Sequence, residues 1–403
     1  MSKIPHRLVL GHTPVAALSL LVVGVLSAAS CGRETFIGID ITPVSSGGIF
    51  GGGSGGTFGS GSGGTFGPGS GGTVGGGSGG TIGMGSSCPI ISLSPGALNA
   101  CGMTSSAAFS PDGTLLATTT RESGAKVHVW QVCDGKLLYE VAQTEPWIYK
   151  AAFSPDGKLL AAGGFAALLD GSGAPSNAAG VFDAATGALI TTLPTHSGNY
   201  AAAVTFSHDG TRLITAGAQS FIDVWNVADW SELLTIPTTP PQSVYDIAFS
   251  PDDSRFITST TAGVNRILKT SDGTEVGDIQ NVFSEMNRAS YSPNGQLILS
   301  DAGAGQLQVL DAYTMLLQTI TFNPPSTDLI PIGYATWIDD DRFVADDWHG
   351  KVEEWSKDPT QPKGPFSLTK TWMMPSQAWG IAVAPDHQSF VVTGDFGFQV
   401  LAP

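Results

Sequence analysis

The sequence predicts an all-β protein, a seven-bladed β-propeller closed by an N-terminal strand and preceded by a glycine-rich linker. Three observations predict it. A five-residue turn motif returns seven times, at spacings of 42 to 53 residues. Short apolar strands flank each copy, four per repeat, which is the spacing of a propeller blade. The strands at the two ends of the repeat region complement each other, as a closed ring without open edges requires.

The N-terminal region comes first. Lys3 and Arg7 precede an almost wholly apolar run from Val15 to Leu26, followed by Ser27-Ala28-Ala29-Ser30 and then Cys31-Gly32. About a dozen apolar residues suit a signal-peptide core and fall short of the ~20 needed to span a bilayer. The small residues before Cys31 resemble a bacterial lipobox. That resemblance implies a lipoprotein signal peptide over 1–30, with Cys31 acylated and anchoring the chain through its lipid. Ala28 stands where Leu or Val is usual, and Leu26 lies two positions early. Ordinary cleavage near Ala29, leaving Cys31 as a free thiol, is the alternative. Gly32 in place of Asp after the cysteine implies, by resemblance to enterobacterial sorting, an outer-membrane location, with the side of that membrane left open.

Residues 31–87 read as a flexible tether. Within it, 47–86 form five octads, the last four of the type Gly-Gly-Thr-(Phe/Val/Ile)-Gly-x-Gly-Ser and the first, Gly47 to Ser54, degenerate, and hold 22 of the 53 glycines. One apolar residue in eight cannot offset the entropy of ordering so much glycine. A coil of this length spans roughly 40 Å root-mean-square, enough to lift a domain clear of lipid headgroups. A surface-binding repeat built on Phe58, Phe66, Val74 and Ile82 is the other reading.

The propeller occupies 88–403. Its motif reads Phe109-Ser110-Pro111-Asp112-Gly113, then Phe153-Ser154-Pro155-Asp156-Gly157, Phe206-Ser207-His208-Asp209-Gly210 and Phe249-Ser250-Pro251-Asp252-Asp253. Tyr291-Ser292-Pro293-Asn294-Gly295 follows, with weaker copies at Trp337-Ile338-Asp339-Asp340-Asp341 and Val383-Ala384-Pro385-Asp386-His387. Pro and Asp set a tight turn, and Gly takes the positive-φ position that closes it. An apolar strand leaves each turn, such as Leu115-Leu116-Ala117 or Phe390-Val391-Val392. A third strand follows some ten residues later, such as Val127-His128-Val129-Trp130 or Ile222-Asp223-Val224-Trp225.

These repeats resemble the WD-repeat (WD40) family over about 315 residues. Only Trp130, Trp225 and Trp355 keep the strand-end tryptophan, and only Thr195-His196 approximates the Gly-His element. The family's buried Asp-His-Ser/Thr-Trp hydrogen-bond set is therefore mostly missing, and apolar packing between blades must carry stability. Looser propellers of the quinoprotein-like or TolB-like kind are alternative relatives. Repeat seven reaches its third strand at Phe398 to Leu401. Pro89-Ile90-Ile91-Ser92-Leu93 lies at the register of an outer strand and is expected to complete that blade.

Net charge is −16. So acidic a chain repels a phosphate backbone and anionic lipid headgroups, which excludes a nucleic-acid partner. Cys88 and Cys101 are a possible disulfide near the ring joint, with Cys88–Cys133 the alternative pairing. No Cys-x-x-Cys pair, nucleophile elbow, phosphate loop or His-Glu-x-x-His is present, and no cofactor or metal is expected. Asp339-Asp340-Asp341 overlays the turn motif. Asp346-Asp347-Trp348-His349, between strands two and three, is the run that best admits a ligand.

The family resemblance places the loops entering strand one and those joining strands two and three on one face, the top. The position four residues before each motif reads Ser105, Tyr149, Ala202, Tyr245, Asn287, Gly333 and Trp379, with Trp147, Tyr200 and Tyr334 nearby. Aromatic rings on one rigid rim give large contact area at low entropy cost. Such rings can equally cap the core between blades. Lys150, Asp246 and Arg288, three before the motif, are candidate polar residues at the channel. An insertion from Phe165 to Ala179, including Phe165 and Leu168, falls on the same face. The reading is a monomeric, lipid-anchored envelope scaffold that binds protein or peptide and is not an enzyme. A metal-dependent hydrolase or lactonase and an outer-membrane assembly factor are its rivals.

Overall fold

The computed structural model describes residues 103–403 apart from 121–125, 143–147, 170–174, 195–200, 218–220, 239–240, 261–263, 281–287, 304–305, 322–331 and 361–364. These described residues form seven antiparallel sheets and no helix, arranged as a seven-bladed β-propeller. Six sheets have four strands in sequence order, and the seventh, Ala378–Leu401, has three. The segment expected to complete it, Pro89–Leu93, lies outside the described residues, as do the signal peptide, Cys31, the tether, Cys88 and Cys101. Cys133 lies partly exposed in a turn and has no disulfide partner among the described residues.

The seven innermost strands are Thr104–Phe109, Ile148–Phe153, Ala201–Phe206, Val244–Phe249, Ala289–Tyr291, Ile332–Trp337 and Ala378–Val383. Each packs beside the next, and the last packs beside the first, so the ring closes through its inner strands. Alternation sends one set of side chains from each blade into the core it shares with its neighbour. Between blades 1 and 2 lie Val129, Ile148, Phe153 and Leu160; between blades 3 and 4 lie Ile214, Val224, Val244 and Phe256. Blades 7 and 1 meet through an edge-to-face contact of Phe398 and Trp130, at 5.7 Å between ring centroids.

The turn motif is held by its own side chains. In blade 1 the Ser110 hydroxyl donates to Asp112 Oδ1 at 2.6 Å and accepts from the Leu115 N–H at 2.8 Å, while Thr114 N–H donates to the same carboxylate at 3.0 Å. Blades 2, 3 and 4 repeat the set through Ser154–Asp156, Ser207–Asp209 and Ser250–Asp252 at 2.6–2.7 Å. In blade 5 Asn294 takes the place of Asp, and the bond lengthens to 2.9 Å. That is the expected difference between a charge-assisted and a neutral hydrogen bond.

The same turns latch blade to blade. Gly113, Gly157, Gly210 and Gly295 have φ near +70°, and a Cβ on each would lie 3.1–3.8 Å from a proline ring of the preceding blade: Pro385, Pro111, Pro155 and Pro251. Blade 3 carries His208 where five of the other copies have proline, and so retains a backbone N–H. Blade 4 answers with Asp253 in place of glycine, at φ 55°. Its Oδ1 accepts from His208 N–H and its Oδ2 from Asp209 N–H, both at 2.8 Å. Two departures from the motif are thus one interaction.

The Ser154 and Lys158 hydrogen bonds hold the Asp156 carboxyl down at about 2, and Asp209 and Asp252 are lowered for the same reason. A depressed folded-state pKa contributes stability that is present above about 4 and is lost as pH falls towards about 2. Urea unfolding midpoints should therefore drop between pH 4 and pH 2. Asp156→Asn, which copies Asn294, should make that decline shallower while leaving a folded protein at pH 7.

Candidate functional site

The site lies at the channel mouth, where the inner strands begin. At this end six of the seven inner strands carry a β-bulge. Ile148 pairs with Gly164 and Lys150 with Gly163, which leaves Tyr149 unopposed. Val244 and Asp246 pair with Thr260 and Ser259 around Tyr245, and Ala378 and Gly380 pair with Gly394 and Thr393 around Trp379. Ser105, Ala202 and Gly333 occupy the equivalent bulges in blades 1, 3 and 6. A bulge bends the strand and re-aims the extra residue's side chain. The position four residues before each motif is therefore this extra residue, in every blade where it is described.

Tyr149, Tyr245, Tyr334 and Trp379 line one cleft of about 60 Å³, together with Lys150, Arg288 and the small residues Ser105, Ser106 and Gly380. The Tyr149 and Tyr245 rings meet edge to face at 6.5 Å, although blade 3 lies between their blades. Among the described residues at this end of blade 3, Ala202 and Ala203 are small and buried. Trp379 stands 6.1 Å from Trp348 and donates its indole N–H to Asp395 Oδ1 at 2.9 Å.

The three polar residues one step into the channel come together. Lys150 is ion-paired with Asp246 Oδ1, and Arg288 reaches Asp246 Oδ2 at 3.4 Å. The Arg288 guanidinium also lies over the Tyr334 ring, 4.3 Å from its centroid. Burial pushes the Lys150 ammonium down to about 7 and the Arg288 guanidinium pushes the same way; the Asp246 carboxylate in contact pulls against both. Asp246 itself is only 6 % exposed.

Beneath Tyr334 lies a support that motif spacing does not disclose. Asp346 is fully buried, and its Oδ1 accepts the Tyr334 N–H at 2.8 Å. Gly333 makes room for it: a Cβ there would lie 2.2 Å from Asp346 Oδ1. Asp347 accepts the His349 and Lys351 N–H groups at 2.9 and 2.8 Å, closing the hairpin between the second and third strands of blade 6. The Asp346–His349 run thus props the mouth. Among the described residues no three His, Cys, Asp or Glu side chains gather as a metal centre needs. Asp339–Asp341 form the blade 6 turn, with Asp340 Oδ1 accepting Asn294 N–H from blade 5 at 2.8 Å.

Trp147, Tyr200 and Asn287 lie outside the described residues. The insertion containing Phe165 and Leu168 extends the hairpin of blade 2, with Leu168 opposite Ser176 and Leu169 opposite Pro175. It runs on from Gly164, beyond the end at which Tyr149 sits. The sequence signal for the mouth was spacing from the turn; the signal for its bulges, a break in strand alternation, is too short to read.

Burial holds the Asp346 carboxyl well above its ordinary range, against the Arg288 guanidinium and the Tyr334 N–H, with Asp347 adding to the upward push. A raised acid binds its proton more tightly folded than unfolded. It therefore costs stability as pH rises from about 4 through the raised value. Asp346→Asn retains the acceptor for Tyr334 and has no proton to lose. Its unfolding free energy should match wild type near pH 4 and exceed it increasingly towards neutral pH, as read from urea unfolding at each pH.

Residues 187–226 match the WD domain, G-beta repeat family. The matched stretch begins at Gly187, takes in the outer strand of blade 2, Leu189–Pro194, and ends on the third strand of blade 3 at Asn226. No curated protein matches the chain. Blade 3 is also the copy in which Thr195-His196 and the strand-end Trp225 occur together. With that repeat match lying across blades 2 and 3 of seven antiparallel sheets, the chain is a seven-bladed β-propeller that is similar to WD40 repeats over 187–226.

Proposed function

We propose that this propeller is an interaction scaffold that binds a protein or peptide at the channel mouth. We also propose that the chain is exported and held at the outer membrane by a lipid on Cys31, with the glycine-rich tether giving it reach. WD40 propellers generally mediate protein interactions, and the convergence of Tyr149, Tyr245, Tyr334 and Trp379 on one cleft carries the reading here. Large, stiff rings on a closed scaffold lose little entropy when a partner covers them. All four are partly exposed, whereas the rings that fill the blade interfaces, such as Phe256, Phe343 and Phe390, are fully buried. The small cleft favours an inserted side chain over a drug-sized ligand, which needs ~300 Å³ or more.

Selection of displayed peptides on the purified chain tests the reading. Enriched peptides should bind wild type and lose at least ~10-fold in affinity on combined Tyr149→Ala, Tyr245→Ala and Trp379→Ala substitution, the scale of a lost hot spot. Rings that merely cap the core would instead lower the thermal midpoint sharply and leave no peptide selected by the mouth.

The anchor is tested separately. In a bacterial host the wild-type chain should fractionate with membranes, its mature N-terminus an acylated Cys31 by mass spectrometry. Cys31→Ser should appear in the soluble fraction without the acyl mass.

A further inference from the structure

We infer that the channel mouth takes the carboxylate of an aspartate or glutamate side chain from an extended peptide. This rests on the reading of the mouth as a partner surface and specifies the chemistry of what enters. Two cations, Lys150 and Arg288, converge on the single carboxylate of Asp246. Asp346 lies beneath the rim, bonded to the Tyr334 N–H, and Asp395 lies at the edge, bonded to the Trp379 indole. Among the described residues that line the cleft, the charged ones are Lys150 and Arg288, inside a chain whose net charge is −16. Screening confines the chain's general negative field to about 8 Å at physiological salt, so a ligand already at the mouth meets mainly the local cations.

The arrangement of Arg288 supports an anion in particular. Its guanidinium is held over Tyr334, and one arm reaches Asp246 at a long 3.4 Å. Its Nε–H is buried and has no acceptor among the described residues. A guanidinium presents five N–H donors in a planar fork that matches a carboxylate, and stacking on an aromatic face orients that fork in advance. The aromatic walls by themselves would also suit a cation. Here the Tyr334 face is already taken by Arg288, and a lysine, arginine or methylammonium ligand would sit beside two like charges. The cleft of about 60 Å³ admits a group the size of a carboxylate and leaves the peptide's neighbouring residues to lie across Tyr149, Tyr245 and Trp379.

The test uses the full chain, purified in detergent, and fluorescence anisotropy with the best selected peptide. Each Asp or Glu in that peptide is changed singly to Asn or Gln. One such change should weaken binding to wild type by ~10-fold or more. Arg288→Met should weaken the acidic peptide similarly and leave the neutral peptide's affinity where wild type has it, so the two losses do not add. Raising the salt should weaken only the acidic peptide. Lys150→Met, on a different blade, provides a second reading if Arg288→Met lowers the thermal midpoint. Selected peptides that bind through Tyr149, Tyr245 and Trp379 but carry no required acid, or that require a lysine, a phosphoserine or a free C-terminal carboxylate instead, overturn the carboxylate assignment and leave the scaffold reading standing. Absence of any peptide dependent on those rings overturns the scaffold reading, and this assignment with it.

Discussion

Closure of the ring between blade 7 and blade 1 is the contact on which the rest of the molecule depends. A blade is a small twisted sheet with two apolar faces, and neither face can be buried except against another blade. Seven shared cores, each drawing on two blades, satisfy every face only if the last blade meets the first. Phe398 against Trp130, Gly113 against Pro385 and Gly380 against the Ser105 carbonyl make that meeting. Closure also creates the mouth. Lys150 and Asp246 are 96 residues apart, and Arg288 is 42 beyond Asp246, yet all three touch because every inner strand starts at the same end of one ring.

The tryptophan set of the resembled family survives here in reduced form, and its remnants follow a simple rule. Trp130 donates its indole N–H to Thr118 at 2.9 Å, and Trp225 donates to Thr215 at 3.0 Å. In both, the threonine stands on the second strand, two residues beyond the tryptophan's own cross-strand partner, Leu116 or Leu213. Blade 6 has Ala345 at that place. Trp355 has no hydroxyl to meet there; it stacks flat on Phe343, 6.3 Å between centroids, with the Glu353 carboxylate as its polar neighbour. Blades 2, 4 and 5 put Phe182, Leu268 and Leu310 in its position, all buried, and blade 7 puts the half-buried Leu401 there. Apolar packing replaces the hydrogen bonds where they are missing.

What the sequence discloses depends on how far apart the interacting residues lie. The Ser-Pro-Asp-Gly turn is legible because its bonds run between residues at most five apart, and seven copies fix the blade count. The latch between Asp253 and His208 spans 45 residues. In the sequence it shows only as two unexplained departures in neighbouring copies, glycine to aspartate and proline to histidine. The mouth residues were legible as a position, since counting back from the turn finds Tyr149, Tyr245 and Trp379. That the position is a bulge was not, because a bulge is a property of the pairing between strands. Asp346 and Asp347 read as an acidic run suited to a ligand, and their hydrogen bonds go instead to the backbone beneath Tyr334 and to a hairpin turn. Nothing within four residues of them announces a partner twelve positions away.

The bulge explains how one ring can present such different residues at its mouth. A residue in regular pairing faces either a neighbouring blade or the sheet's other side, and its size is fixed by packing density there. The extra residue of a bulge opposes no partner of its own and is released from that requirement. Ser105, Tyr149, Ala202, Tyr245, Gly333 and Trp379 accordingly range from glycine to tryptophan at one structural position, while two positions further into the strand only Ala107, Ala151, Val204, Ile247, Ala335 and Ile381 occur. The local constraint then passes between neighbours at the rim. Tyr149 and Tyr245 meet across the blade that carries the small Ala202, and Gly333 lets Asp346 hold the Tyr334 backbone. The small residues at the mouth are as much a part of its shape as the aromatic ones, because each decides which two of its neighbours touch.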